Sequence, residues 1–264
     1  MKFCMPTINY KNTPISYSSE GKGNNLVFLH GFLENISMWK EIIPTLTKNH
    51  RVVCIDLLGH GKTGNLGYIH TMEEQAKMVK SVLDHLNLRK YILIGHSMGG
   101  YVSLAFAELF PKNIKGMGLM NSSALPDSKE KLENRVRGIA AVKNKASIFV
   151  KMAIPNLFSK ENVARFPEEI QEITKEALKI SKQGIVASLE GMKIRNDRTS
   201  ILRSGRFPIL MIISKKDPAL NYQSLIDQVK NTNVKIVEFP DGHMSHIENK
   251  TDLIIAFKIF VNSI

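Results

Sequence analysis

The chain has 264 residues, 43% of them hydrophobic, enough to bury the core of one large α/β domain or of one domain carrying an insertion. Its formal charge of +12 sits on scattered lysines in a Lys-, Asn- and Ile-rich background, and no basic run interleaves with aromatics, which argues against a nucleic-acid interface. No apolar run is long enough to span a bilayer, Met1-Lys2-Phe3 meets Cys4, Pro6, Asn9 and Lys11 instead of a secretory apolar stretch, and the two cysteines, Cys4 and Cys54, make no disulfide framework; a reduced, cytoplasmic protein is expected.

Residues 7–19 alternate around Ile8, Tyr10, Ile15 and Tyr17, which predicts an opening hairpin turning through residues 12–14. Residues 20–25 read as a Gly/Asn/Lys turn. Residues 26–30 and 51–56 are continuous apolar runs, the mark of strands buried on both faces, and Cys54 behaves there as a small hydrophobe. Between them, residues 37–46 place Trp39, Ile42, Ile43 and Leu46 on one helical face. Thr71 and Glu74 form a capping box ahead of Ala76, Val79, Leu83 and Leu86. A strand at 91–94, a helix at 98–110 stopped by Pro111, and a strand at 114–120 follow. The repeated strand–helix units predict a mainly parallel sheet covered by helices on both faces, with the hairpin as an antiparallel edge.

The pattern then changes. Residues 126–204 carry no strand signal but several amphipathic helical stretches, cut by Pro155, Pro167 and Gly184. That is far longer than an ordinary connection. The expected organisation is an α/β core of residues 1–125 and 205–264 with residues 126–204 inserted as a helical cap. Residues 127–160 hold eight Lys/Arg against Asp127, Glu130 and Glu133, an excess compatible with an anionic substrate. The sheet resumes at 208–214, followed by a helix at 221–230, a strand at 234–239 and a closing helix at 252–261.

The chemistry centres on Gly95-His96-Ser97-Met98-Gly99, a G-x-S-x-G sequence between an apolar strand and a helical pattern. Small residues are needed on either side because strand and helix pass close together. The serine is pushed out of the sheet, backed by the unpaired N–H groups of a helix start. A serine hydroxyl needs a base, and the base an orienting acid. In a parallel sheet those partners lie in loops at the carboxyl ends of later strands. Two such loops remain: one contains Asp217, the other His243 and His246.

These features resemble the α/β-hydrolase superfamily, in particular its capped serine hydrolases, over nearly the whole chain. Leu29-His30-Gly31-Phe32 is similar to the family's oxyanion loop, Asp56-Leu57-Leu58-Gly59-His60-Gly61 to its D-x-x-G-x-G turn, and Gly95 to Gly100 to its nucleophile elbow. Ser214-Lys215-Lys216-Asp217-Pro218 is similar to the acid loop, with Ser where Gly is more frequent. Gly242-His243 with Glu248 five residues on is similar to the histidine loop, and the resemblance selects His243 over His246. It implies Ser97 as nucleophile, His243 as base, Asp217 as its orienting acid, and the backbone N–H groups of Phe32 and Met98 as the oxyanion hole. His246 is expected at a helix start, and His30, His60 and His96 as structural neighbours of the site.

No cofactor is expected, and no metal: the histidines are not at ligand spacing and neither HExxH nor CxxC occurs. Residues 59–63 end like a phosphate-binding loop, but its first glycine would fall on Asp56, whose charge would face the phosphate. The expected activity is hydrolysis of small to medium carboxylic esters in a cleft walled by Ile148, Phe149, Met152, Leu157 and Phe158. The resemblance extends to enol-lactonases, C–C bond hydrolases and the menaquinone-pathway synthase branch. An acyltransferase, a perhydrolase or a non-catalytic ligand receptor of the same fold would use nearly the same framework. Dehalogenases and epoxide hydrolases place Asp where this chain has Ser97.

Overall fold

The computed structural model describes residues 5–264, and Cys4 lies outside the described residues. The strands are β1 (Thr7–Tyr10), β2 (Thr13–Glu20), β3 (Asn24–Leu29), β4 (His50–Ile55), β5 (Tyr91–His96), β6 (Ile114–Met120), β7 (Ile209–Ser214) and β8 (Lys235–Phe239). They form one sheet in the order β1-β2-β4-β3-β5-β6-β7-β8. β1 pairs antiparallel with β2, and β2 with β4; every other pairing is parallel.

Period-two geometry explains why the central strands read as unbroken apolar runs. Val27 and Leu29 of β3, Val53 and Ile55 of β4, and Tyr91 and Leu93 of β5 enter one core. Their neighbours Leu26, Phe28, Val52, Cys54, Ile92 and Ile94 enter a second core on the opposite face. The first face is covered by α2 (Met72–His85) and α3 (Met98–Leu109), which contribute Val79, Val82, Val102 and Phe106. The second is covered by the segment around Trp39 and by the closing helix. There Phe28 meets Trp39 and Phe257 edge to face, with ring centroids 5.0 and 5.9 Å apart. Burial of Cys54 pushes its thiol pKa upward, as expected of an inert core residue.

Local elements depart from the sequence reading in four places. The opening hairpin turns at Lys11 and Asn12, both at positive φ (48° and 62°), one residue earlier than expected. Pro14 instead sits in the ladder opposite Asn9. Residues 37–46 are not one helix but a 3-10 turn (Ile36–Trp39) and the single-turn α1 (Ile43–Leu46). Pro44 has no N–H to give a preceding turn and opens a new one instead. Thr71 caps α2 by accepting from Glu74 N at 3.1 Å, but the Glu74 carboxylate turns away to Tyr10 and Lys11, at 2.9 and 2.6 Å, tying α2 to the hairpin.

The fourth departure lies between β6 and β7. The helices there are α4 (Lys129–Ala153, kinked at Lys145), α5 (Lys160–Val163), α6 (Pro167–Ala177), α7 (Lys182–Lys193) and α8 (Thr199–Arg203). No strand occurs in this stretch. Pro155 opens a 3-10 turn and Pro167 opens α6, as punctuation should. Gly184, however, does not break a helix; it lies in the first turn of α7, behind the Ser181 cap. A Cβ there would stand 2.5 Å from the Gly59 carbonyl oxygen, so the glycine lets α7 dock on the loop after β4. The remaining helices are α9 (Tyr222–Val229), α10 (Ser245–Glu248) and α11 (Lys250–Asn262). No helix among the described residues is long and apolar enough to cross a membrane.

Candidate active site

Ser97 stands alone between β5 and α3 at φ 49°, ψ −112°, a conformation strained for a residue with a Cβ. The glycines around it are dictated by contact. A Cβ on Gly95 would lie 2.3 Å from the Gly99 carbonyl oxygen, and one on Gly99 2.3 Å from the Leu29 carbonyl oxygen. The strain is held from several sides. Ser97 N donates to the Met120 carbonyl at 2.9 Å, and Ser122 Oγ donates to the Ser97 carbonyl at 2.8 Å.

Asp217 and His243 arrive from the ends of β7 and β8. Asp217 Oδ2 lies 2.7 Å from His243 Nδ1 and accepts from Asn121 Nδ2 at 3.1 Å. Its Oδ1 accepts the amides of Ala219 and Leu220 at 2.8 and 3.0 Å. Burial works against this carboxylate's charge, but His243 and the donated hydrogen bonds outweigh it and keep the Asp217 pKa below the usual carboxylate range. The carboxylate holds the proton of His243 on Nδ1, which leaves Nε2 with its lone pair.

One support of this pair, Asn121, carries no local sequence signature. Asn121, at φ 45°, donates to Ser214 Oγ at 2.8 Å as well as to Asp217, and its Oδ1 accepts from Ser245 Oγ at 2.6 Å. Ser214 and Ser245 hydroxyls also meet at 3.0 Å, which gives a use to the serine at 214. Glu248, singled out only by its spacing, clamps the histidine loop: its carboxylate accepts the amides of Gly242, Met244 and Ser159 and the Asn162 side chain, at 2.9–3.2 Å.

The loop after β3 is fastened by backbone bonds to buried side chains. Asp56 accepts the amides of Ile36 and Lys62, both at 2.9 Å, so the Lys62 amide that a phosphate would need is occupied. His30 Nε2 accepts from Leu57 N at 2.9 Å while Nδ1 faces the Gly31 carbonyl at 2.7 Å. His60 Nε2 accepts from Leu33 N at 3.3 Å while Nδ1 faces the Leu58 carbonyl at 3.0 Å. Each ring therefore donates once and accepts once, as neutral imidazole does. Burial agrees, lowering their pKa values to about 4 and about 3. Among the described residues, the amides of Phe32 and Met98 have no hydrogen-bond acceptor. The Met98 side chain is fully buried, leaving only its backbone relevant to the site.

Glu34 is a site residue that the sequence reading missed. Its Oε2 accepts from Gly31 N at 2.8 Å and lies 2.7 Å from His96 Nδ1, while His96 Nε2 lies 3.1 Å from the His243 carbonyl oxygen. Burial opposes the charge on both side chains, yet each sustains the other: the His96 pKa is raised and that of Glu34 is held at about 2. His246 lies in α10, as expected of a helix-start residue, with Nε2 3.7 Å from Glu34 Oε1.

Ser97, Asp217, His243 and Phe32 all line one cleft of about 1010 Å³. Its far wall comes from α4, the turn that follows it and α7. Phe149, Ala153 and Leu157 line it at a spacing of four, together with Leu189 and Met192. The same periodicity turns Ile148 and Met152 outward, 49% and 64% exposed, so these two expected wall residues lie on the surface. Phe158 is buried against Phe166 and is not part of the lining. The lining cations Lys131, Arg135 and Arg195 are matched by Asp127, Glu130 and Asp197, and buried Asp127 pairs with both arginines at 2.7 and 2.5 Å. The basic excess seen in the sequence thus lies largely outside the cleft. Among the described residues, no group of three or more His, Cys, Asp or Glu side chains is arranged to hold a metal.

A profile of the alpha/beta hydrolase fold matches residues 24–250, most of the chain. The chain belongs to the alpha/beta-hydrolase family. This hydrolase-fold chain is 30% identical over 237 residues to the dihydrolipoyllysine-residue acetyltransferase component of the acetoin cleaving system of Pseudomonas putida, a match covering 86% of the chain. It spans 60% of the length of that relative. It is 22% identical over 255 residues to 3-oxoadipate enol-lactonase 2 of Acinetobacter baylyi, covering 92% of this chain and 94% of the lactonase. A thermophilic esterase from Thermogutta terrifontis, solved with malate bound, has a TM-score of 0.90 at 27% identity, covering 98% of this chain and 97% of its own.

Proposed function

We propose that the protein is a serine hydrolase of small to medium carboxylic esters. The observation that carries this reading is the His243–Asp217 pair, at 2.7 Å, lining the same cleft as a serine held at φ 49° on a nucleophile elbow. Membership of a family that includes an esterase and an enol-lactonase supports hydrolase chemistry.

In the proposed mechanism Ser97 Oγ attacks the acyl carbon as His243 Nε2 takes its proton. Asp217 stabilises the imidazolium that forms. The tetrahedral oxyanion is received by the N–H groups of Phe32 and Met98, each worth about 3–4 kcal/mol by the usual magnitude of such donors. The imidazolium returns its proton to the departing alkoxide, leaving an acyl group on Ser97. Water then attacks that ester with His243 again as base. Residues 126–204 act as the cap over a core formed by 1–125 and 205–264, with Phe149, Leu157, Leu189 and Met192 as the apolar wall for the acyl or alcohol group.

The test is time-resolved hydrolysis of short and medium p-nitrophenyl esters by the wild type and by Ser97→Ala. A burst followed by steady turnover, both lost in the variant, is expected. Turnover that survives Ser97→Ala, or none at all in folded wild type, would overturn the reading.

A further inference from the structure

Glu34 and His96 are buried ionisable side chains to which ester hydrolysis by Ser97, His243 and Asp217 gives no part. Their contacts join three separate pieces of the site. Glu34 Oε2 receives the amide of Gly31, next to Phe32 in the oxyanion loop. The same oxygen faces His96, the residue immediately before the nucleophile. The other ring nitrogen of His96 faces the backbone carbonyl of His243, the base. Both nitrogens of His96 therefore point at oxygen acceptors, at 2.7 and 3.1 Å. A neutral imidazole can donate to only one of them and would aim a lone pair at the other. Only the imidazolium satisfies both.

We propose that Glu34 and His96 form a charged pair, kept through the working pH range, that positions the base of this site by tying the oxyanion loop to the histidine loop. The inference rests on the serine-hydrolase reading above. His96 is faced by the carboxylates of Glu34 and Asp217 and by His30, His243 and His246. The His243 and His246 rings lie 5.0 and 5.7 Å from it. His30 and His246 are neutral, burial having lowered both pKa values to about 4, so they add no competing charge. When His243 takes the serine proton, two imidazoliums are then balanced by two carboxylates.

Glu34→Gln separates this role from simple packing. The amide oxygen can still accept from Gly31 N and His96 Nδ1, but it no longer sustains a charge on His96. The neutral ring then sets its Nε2 lone pair against the His243 carbonyl. The expected result is a kcat about 10–100-fold lower, the scale of one lost charged hydrogen bond, with KM little changed. The loss should deepen as pH rises and His96 of the variant gives up its proton. Glu34→Asp, which keeps the charge, should recover part of the rate.

Nitrogen NMR of histidine-labelled protein reads the pair without any substrate. Wild type and Ser97→Ala should both show one ring, absent in His96→Asn, with both nitrogens protonated at pH 7.5. A neutral His96 there, or a folded Glu34→Gln with wild-type kcat and pH profile, overturns the inference. If Glu34→Gln fails to fold, the wild-type spectrum and Glu34→Asp kinetics decide in the same terms. If no ester is turned over, the serine-hydrolase reading falls separately. The His243 ring signal then tests the positioning claim, which is overturned if that signal is identical in Glu34→Gln.

Discussion

Replacing Asp217 by Asn should disable the site by a specific route. The carboxylate accepts four hydrogen bonds: the Ala219 and Leu220 amides on Oδ1, and Asn121 Nδ2 and His243 Nδ1 on Oδ2. An asparagine has one acceptor oxygen. If it serves the two backbone amides, its NH₂ faces the Asn121 NH₂ and the His243 Nδ1. His243 must then accept on Nδ1, its proton moves to Nε2, and the lone pair on which the proposed mechanism draws is gone. A wrong tautomer of this kind lowers kcat by on the order of 10⁴-fold, or about 5 kcal/mol of barrier. The donors left facing one another each cost about 1–3 kcal/mol of stability, so the thermal midpoint should fall as well. The assay is kcat on a p-nitrophenyl ester with a circular-dichroism melt of the same sample. A folded Asp217→Asn within tenfold of wild-type kcat would refute the tautomer argument.

Acid should destabilise the protein earlier than its carboxylates alone require. Burial lowers the pKa values of His30, His70 and His246 to about 4 and that of His60 to about 3, against 6.5 when unfolded. The unfolded chain binds more protons between those limits, so this stability is full above about pH 6.5 and is lost as pH falls toward 4. Asp217 and Glu34, both depressed, lose their contributions only below the ordinary carboxylate range. His96, raised, works in the opposite direction, contributing most at acid pH. Urea midpoints should therefore drop from pH 7 to pH 4.5; a constant or rising midpoint would contradict this. Gly99→Ala places a Cβ 2.3 Å from the Leu29 carbonyl oxygen and 2.7 Å from that of His30, both rigid backbone. It should cost at least about 3 kcal/mol, seen as a collapse of soluble yield or thermal midpoint, and wild-type stability would count against the close approach.

Much of the fold was legible because its signals are local. Continuous runs such as Leu26 to Leu29 announce a strand with a core on each side, and a serine between Gly95 and Gly99 announces a crowded strand-to-helix turn. Each glycine there answers a backbone atom within a few residues or on the adjoining strand. Pairings over long sequence separations were legible only in part. Loop position singled out Asp217 but left His243 beside His246 until the family resemblance chose between them, and nothing near Asn121 in the sequence points to its bonds with Ser214, Asp217 and Ser245. Glu34 belongs to no motif in the sequence, and its partner His96 is 62 positions away. Gly184 resembled a helix breaker because the Gly59 backbone that requires it belongs to another element. Residues 37–46 had the right apolar spacing for a helix, and the one missing N–H of Pro44 broke it in two.

The central claim is that Ser97 becomes covalently acylated. It is tested most directly by treating the protein with a p-nitrophenyl alkylphosphonate, a tetrahedral mimic of the attacked ester, and mapping the adduct by mass spectrometry. One equivalent is expected on the peptide carrying Ser97, with release of p-nitrophenol. No adduct is expected in Ser97→Ala, and slow labelling in Asp217→Asn. A folded wild type that takes up no label, or that carries it on another residue, would contradict the account.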